Sequence, residues 1–507
     1  MNGVLRWLVA AGGAAATVLM AGGQPALAAP APPARGGWHG PVWLVDDSAT
    51  TLDMVARSIR ADRLRAAGQT GAGVGVALID TGVAPVEGLR GADVVHGPDL
   101  AVESQVPGRG HLDTYGHGTH LAGIIAGSGA GVHGLAPGVR LTSVKVGSFN
   151  GAVDVTEVMA AVDWVVAHRD DDPAHPIRVI NLSYGTDGTQ DYRTDPLAHA
   201  VENAWRAGIV VVAAGGNGGA AASTLTTPAQ DPYLIAVGAA DTGTSIGTGD
   251  DTVAGFSSRG NASRHVDLVA PGRSIVSLRD PGSTVDQAYP GARVGSDQFK
   301  GSGTSQAAAV VSAATALLLQ RYPGLSPDQV KAALVRGARP LPLADPLSQG
   351  AGELDLARAA ALARRPSQPQ SWPASSGTGS LEAARGTMHL ALNGVELTGE
   401  NDLFGPFDTA AWAAASSAGT AWVGGSWMGR ELTGAGWSED SSTGSARRTW
   451  PSLTWSSLTW SSLTWSSLTW SSLTWSSLTW SSLTWSSLTW SSLTWSSLTW
   501  SDAGWLG

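Results

Sequence analysis

The sequence predicts an α/β protein built on a mainly parallel sheet with helices on both faces. Three observations predict it. Short, wholly apolar runs such as Val74–Ile79 and Ile209–Ala213 read as strands buried on both faces, the form that parallel strands take. Longer segments with apolar residues at helical spacing, such as Val153–His168 and Val310–Leu318, lie between and after them. The βα alternation continues from about Val74 to Arg336, and that is the pattern of crossover connections in one parallel sheet.

In chain order, residues 1–28 read as a secretory signal, with Arg6 in the charged region, an apolar run from Leu8 to Leu19, and Ala26-Leu27-Ala28 as an A-x-A cleavage site. Gly12, Gly13, Gly22, Gly23 and Gln24 break the run short of the ~20 apolar residues a spanning helix needs. Residues 29–49 form a short pro-segment and linker, too brief for an independently folded prodomain, whose floor is about 40 residues. Leu52, Val55, Ile59 and Leu64 then share one helical face, ended by Gly68 and Gly71.

The strand Val74–Ile79 ends at Asp80, and a helix opens near His117 through Leu121, Ile124 and Ile125. The strand Val139–Val146, the helix Val153–His168 and the strand Arg178–Leu182 follow, the last running into Ser183. Next come the helix Leu197–Ala207 and the strand Ile209–Ala213, which gives way to Gly215-Gly216-Asn217. Strands at Leu234–Val237 and Val266–Val269 precede a Gly-rich turn, Gly301-Ser302-Gly303-Thr304-Ser305, that enters an apolar helix. Helices over Pro327–Arg336 and up to Ala363 close one domain at residues 50–364.

Composition narrows the class. A net charge of −10 argues against nucleic acid as the main partner. With no cysteine there are no disulfides or thiolate chemistry. No later segment is apolar enough to span a bilayer, so no transmembrane anchor is expected after signal removal.

Residues 365–380 are Pro/Ser/Gly-rich and read as a linker, and 381–449 as a Gly/Ala/Trp-rich region without a motif. There Trp412, Trp422, Trp427 and Trp437 recur at multiples of five. Residues 450–507 carry the Ser-Ser-Leu-Thr-Trp pentad, ten times over if Pro451–Trp455 is counted. Period five fits neither a strand nor a helix face. Two readings stay open, a four-sided solenoid resembling the pentapeptide-repeat architecture and a disordered tail. Either exposes indoles suited to cell-envelope glycan, another surface component or self-association.

In open α/β sheets, ligands bind beyond the carboxyl ends of the strands. Asp80, Ser183 and Asn217 each directly follow an expected strand, which places them on one rim. Ser305 opens a helix, where free N–H groups and the helix dipole stabilise negative charge. Acyl transfer develops such charge on a carbonyl oxygen. Taken singly, Thr304 or Ser305 also fits a helix cap, and Asp80 and Asn217 fit turns. His117 and His120 lack the Glu of a metal-binding H-E-x-x-H run. A serine hydroxyl needs a base and a third group that orients it, and His117 and Asp80 are the candidates.

Asp80-Thr81-Gly82 after a strand, His117-Gly118-Thr119-His120-Leu121-Ala122-Gly123 opening a helix, and Gly303-Thr304-Ser305 opening another resemble the signatures of the subtilisin-like serine peptidases, the subtilases, in that family's order. The resemblance covers roughly residues 50–364. It implies a secreted serine endopeptidase that hydrolyses peptide bonds through an acyl-enzyme. Ser305 would attack, His117 would act as base and then acid, and Asp80 would orient the imidazole. Asn217 resembles the oxyanion asparagine and would act with the Ser305 N–H. Ser183, Tyr184 and Gly185, with Ala214 and Gly215, resemble the extended segments that pair with the substrate backbone. Gly218 stands where some relatives carry a Glu that favours basic side chains, so apolar ones are expected.

There are departures from the family pattern. Gln306-Ala307-Ala308-Ala309 replaces the usual Met-Ala-x-Pro. The short loop Ser128–Gly131 has no carboxylate, so the family's strong calcium loop is not expected there. No cofactor is required by the implied chemistry, and structural calcium is left open and unassigned. Asp170-Asp171-Asp172 offers oxygen ligands but reads as a solvated acidic turn. The alternative is an envelope adhesion or scaffold protein that works through the Trp repeat, its peptidase domain self-processing or inactive. The implied location is extracellular, with the cell surface as the place where the repeat would act.

Overall fold

A computed structural model describes residues 48–432, apart from 130, 244, 248, 343, 393 and 394, together with 438 and 439. The signal at 1–28, residues 29–47 of the pro-segment, Trp437 and the pentad repeat lie outside the described residues.

Seven strands form the parallel body of the central sheet: β1 Gly75–Asp80, β2 Asp93–Asp99, β3 Arg140–Lys145, β4 Ile177–Leu182, β5 Val210–Ala214, β6 Ile235–Asp241 and β7 Leu268–Pro271. Their order is β7-β6-β5-β4-β1-β3-β2, and Thr252–Val253 adds an antiparallel edge to β6. Every residue of β1 and β5 is buried, which is why these strands read as unbroken apolar runs. The register pairs Ile79 with Leu182 and Leu182 with Ala213, so β1, β4 and β5 end side by side.

The main helices are α1 Leu52–Ser58, α2 Ala61–Ala66, α3 His117–Ala126, α4 Val155–His168, α5 Pro196–Arg206, α6 Thr304–Arg321, α7 Pro327–Gly337, α8 Leu356–Leu362, α9 Leu381–Arg385 and α10 Thr409–Ser417. Helix α6 lies against β4, β5, β6 and β7 and is buried from Thr304 to Leu319. Its many alanines let the backbone approach the sheet closely, and Ser312 Oγ ties it to Asn181 Oδ1 of β4 at 2.9 Å. Helix α4 starts on a capping box, with Asp154 and Glu157 satisfying each other's backbone N–H groups.

Three features differ from the sequence reading. The helical pattern at 52–64 is two helices, broken at Arg60, which takes a left-handed φ of 58°. Its guanidinium meets the buried Asp355 at 2.8 Å, which anchors the break. Strand β2 was not expected. It is an edge strand whose residues are mostly part-buried or buried and follow no alternation, and Asp93, His96, Gly97 and Pro98 hide its periodicity. A small antiparallel sheet, β8 Ile275–Leu278, β9 Arg293–Val294 and β10 Gln298–Gly301, leads directly into the turn before α6.

The chain beyond residue 364 also packs on the body. Residues 365–380 run along it as a strap held at named points. Gln370 Nε2 donates to Tyr233 O at 2.9 Å, and Ser375 N donates to Glu202 Oε1 at 2.9 Å. Leu381, Ala384, Leu390, Phe407, Trp412, Trp422 and Trp427 belong to the same buried core as the sheet. The indoles of Trp412 and Trp427 donate to Asp163 Oδ2 of α4 at 2.8 and 2.9 Å, and Trp422 donates to Ala160 O at 2.7 Å. The carboxyl group of Asp163 is pushed up by burial, partly offset by these donors and Ser416.

Candidate active site

Asp80 ends β1, and its side chain is 1% exposed. Its Oδ1 accepts from Thr81 N at 2.8 Å and meets His117 Nδ1 at 2.8 Å. Burial raises the Asp80 carboxyl above its ordinary value, and the imidazole of His117 pulls the other way. His117 is the first residue of α3, which packs on α6. The imidazole thus opens one of these two packed helices, and Thr304 and Ser305 open the other.

Gly118 is fixed by space. A Cβ there would stand 2.1 Å from Gly82 O and 3.1 Å from Asp80 Oδ1, so only glycine lets the helix start against the Asp80 turn.

Ser305 is held against the end of β4. Its Oγ lies 3.4 Å from Ser183 O, and Ser183 Oγ donates to Ser305 O at 3.3 Å. Asn217 sits in the loop after β5, where its Oδ1 accepts from Thr304 N at 2.9 Å and Thr304 Oγ1 at 3.0 Å. That leaves its Nδ2 as the end turned elsewhere. A Cβ placed on Gly303 would stand 3.5 Å from Asn217 Nδ2 and 3.7 Å from Ser305 N. The nearest atom to that position is Gln306 Oε1 at 2.8 Å, so the amide donors of Asn217 and Ser305 and the Gln306 side chain all stand close to Gly303.

The expected substrate segments flank Thr226. A Cβ on Gly185 would reach Thr226 Oγ1 at 2.5 Å. Thr226 Oγ1 donates to Ala214 O at 3.2 Å, and Thr226 N donates to Gly215 O at 3.2 Å. Tyr184 differs from its neighbours. Its side chain is buried within the influence of Asp154, Glu157 and Arg385, and burial pushes its hydroxyl well up. Only its backbone is in a position to serve a substrate.

Two positioning residues escaped the sequence reading. Asp113 Oδ1 accepts from Gly116 N and Thr81 Oγ1, each at 2.7 Å, and its Oδ2 accepts from Thr119 N at 2.7 Å. It caps the helix that carries His117 and locks it to the residue after Asp80. Its signal was an Asp a few residues ahead of a helix start. Lys145 ends β3 opposite Asp80, where its ammonium donates to Thr81 O at 2.9 Å and pairs with Glu103 Oε1 at 2.5 Å. No local pattern marks it. His120 is buried, its Nε2 facing Ile275 O and Phe299 O at 3.2 and 3.1 Å. Burial, then the neighbouring His117, lowers it to about 3, so it is a neutral structural imidazole.

Gln306, the departure noted above, is fully buried, and neither its Oε1 nor its Nε2 has a hydrogen-bond partner among the described residues. Among the described residues, no group of three or more His, Asp or Glu is placed to hold a metal ion. In the acidic turn, Asp172 is engaged by Arg140 and His175, and Asp170 by Arg169.

Asp80 with His117, Ser305 with Ser183, and Asn217 with Thr304 stand at or just beyond the carboxyl ends of β1, β4 and β5, the rim on which open α/β sheets bind their ligands. The chain belongs to the subtilase family, whose model matches residues 71–370, and it is a serine endopeptidase. It is 38% identical over 325 residues to the serine protease AprX of Bacillus subtilis, covering 62% of this chain and 72% of that one. It is 34% identical over 281 residues to subtilisin DY of Bacillus licheniformis, covering 54% and 86%. To the extracellular serine proteinase of a Thermus species it is 36% identical over 271 residues, covering 54% and 56%. Among the described residues no helix is long and apolar enough to cross a membrane.

Proposed function

We propose that the protein is a secreted endopeptidase in which Asp80, His117 and Ser305 act as the triad and Asn217 as the oxyanion donor. The observation that carries the reading is the 2.8 Å contact of Asp80 Oδ1 with His117 Nδ1 at the start of the helix packed against the serine helix. A peptide chain lies between Ser183–Gly185 and Ala214–Gly215 and adds a strand to both. Ser305 Oγ attacks the scissile carbonyl while His117 takes its proton, and Asp80 stabilises the imidazolium. The oxyanion accepts from Asn217 Nδ2 and Ser305 N. The C–N bond then breaks, His117 gives its proton to the leaving amine, and water releases the acyl group by the same steps in reverse.

The signal read at residues 1–28 supports export, in keeping with an extracellular relative. The functional division runs as 29–49 pro-segment, 50–364 catalytic body and 450–507 a Trp array for attachment to the envelope surface. Removing 450–507 is expected to leave peptide hydrolysis intact and lower retention on cells. Collapse of hydrolysis would contradict that division.

The decisive experiment treats the purified protein with a fluorophosphonate probe beside Ser305→Ala. Labelling of the native chain alone is the expected result. A native chain that stays unlabelled, or a mutant that still reacts, removes Ser305 as the nucleophile.

A further inference from the structure

Residues 376–401 lie beyond the stretch matched by the family model, yet they grip the loop that leaves the proposed substrate segment. We propose that this extension is a positioning element for Ser183–Gly185, which sets how firmly a peptide substrate is held. The inference rests on the reading of 183–185 as a substrate-pairing run.

The contact begins one residue after that run. Thr186 Oγ1 donates to Ala384 O at 2.6 Å. Asp187 accepts from Thr387 N at 2.7 Å and from the Thr387 hydroxyl. A Cβ on Gly188 would stand 2.8 Å from both Ala383 O and Ala384 O, and one on Gly386 would stand 2.7 Å from Gly188 N. The two backbones thus meet with no room for side chains. Farther along, Gly379 N donates to Thr194 O at 2.7 Å and Ser376 N to Arg193 O at 2.8 Å.

The extension is itself anchored from below. Arg385 is fully buried, with Nε on Asp154 Oδ2 at 2.6 Å and Nη1 on Gly399 O at 2.6 Å. Asp154 caps α4, so the guanidinium joins the extension to the catalytic body. The constraint also passes to the second proposed substrate segment. Thr186 exchanges backbone hydrogen bonds with Thr227 at 2.9 and 3.0 Å, and Thr226 holds Ala214 and Gly215. One chain of contacts therefore runs from the extension through Thr186 to both segments.

The test is a double-mutant cycle on the exposed end of this link, Asp187→Ala, Thr387→Val and the pair, in the full chain. Each single change is expected to raise KM for a tetrapeptide substrate by about three- to tenfold, the effect of one weakened hydrogen bond. The double mutant should add little beyond Asp187→Ala, because Thr387→Val removes only the hydroxyl part of the link that Asp187→Ala removes entirely. The kcat and the rate of fluorophosphonate labelling, which needs no peptide pairing, should stay within about twofold. Arg385→Lys, which keeps the charge but loses the fork, should split KM from kcat in the same way. KM unchanged in every variant, or KM and labelling worsening together with a fall in Tm, would reduce the extension to scaffolding and overturn the proposal. A native chain that cannot be labelled would instead sink the peptidase reading and this inference with it.

Discussion

Gly118→Ala is expected to lower kcat/KM by about a hundredfold without unfolding the protein. The added Cβ would stand 2.1 Å from Gly82 O and 3.1 Å from Asp80 Oδ1. A carbon and a carbonyl oxygen settle at roughly 3.3 Å, so α3 or the Asp80 turn must yield by about 1 Å. Over-packing of this kind costs about 1–3 kcal/mol, a modest loss for a chain with so large a buried core. The same displacement falls on the 2.8 Å contact between Asp80 and His117, and a misplacement of ~1 Å at reacting groups costs on the order of 10²-fold in rate. The assay is kcat/KM on a small peptide with the rate of fluorophosphonate labelling, alongside Tm and far-UV circular dichroism. Gly110→Ala is the control, since no atom lies within 4 Å of a Cβ there. Native activity in Gly118→Ala at an unchanged Tm, or equal losses in both variants, would refute the reasoning.

Two further outcomes follow from buried polar groups. Gln306→Met removes a buried amide without partners among the described residues at similar volume. Since an orphaned polar group costs about 1–3 kcal/mol, Tm should rise with turnover retained, and a lower Tm would count against this. Asp231 is fully buried, and burial, reinforced by Glu202, pushes its carboxyl up to about 8 despite Arg264 and Lys331. The unfolded chain ionises this group at a lower pH, so the native state loses stability as pH rises from the ordinary carboxylate range up to about 8, and the loss is complete above that. Asp231→Asn keeps an acceptor for Tyr233 N, now at 2.8 Å. Its Tm should decline less than that of the native chain between pH 6 and 9, and parallel curves would show that the Asp231 carboxyl does not contribute.

The sheet was legible because its central strands are buried, so β1 and β5 announced themselves as apolar runs and β4 as a short run of Ile, Val and Leu interrupted by Arg178 and Asn181. Their carboxyl ends gave Asp80, Ser183 and Asn217 for the same reason. Other elements left no such mark. Strand β2 is an edge whose residues alternate with nothing, and the break at Arg60 depends on Asp355, almost three hundred positions away in the chain. Residues 365–380 have linker composition, but the backbone donors of Ser375, Ser376 and Gly379 are met by groups on the body that no local pattern reveals. The spacing of Trp412, Trp422 and Trp427 suggested kinship with the tail repeat, whereas each is buried with its indole N–H satisfied on α4. Tyr184 fits a substrate segment by position, but its side chain serves the interior.

The charged groups beneath the site raise a question of purpose that energetics helps to answer. Lys145 and Glu103 are both buried, and an ion pair taken out of water adds little net stability because desolvation consumes the attraction. Yet the pair has many further partners. Lys145 also donates to Leu112 O, while Glu103 accepts from the Thr114 hydroxyl and from Phe149 N. Residues 112 and 114 bracket Asp113, whose carboxylate caps the helix of His117 and holds Thr81. The pair therefore fixes the loop that fixes the imidazole, and it does so from β3, the strand in register with Asp80. An apolar pair of equal volume could fill the space but would leave Thr81 O without its donor, Leu112 O with only Thr114 N, and the loop free to shift. We read the buried charges as the source of a single geometry at the rim, where a displacement of about 1 Å matters far more to rate than to stability.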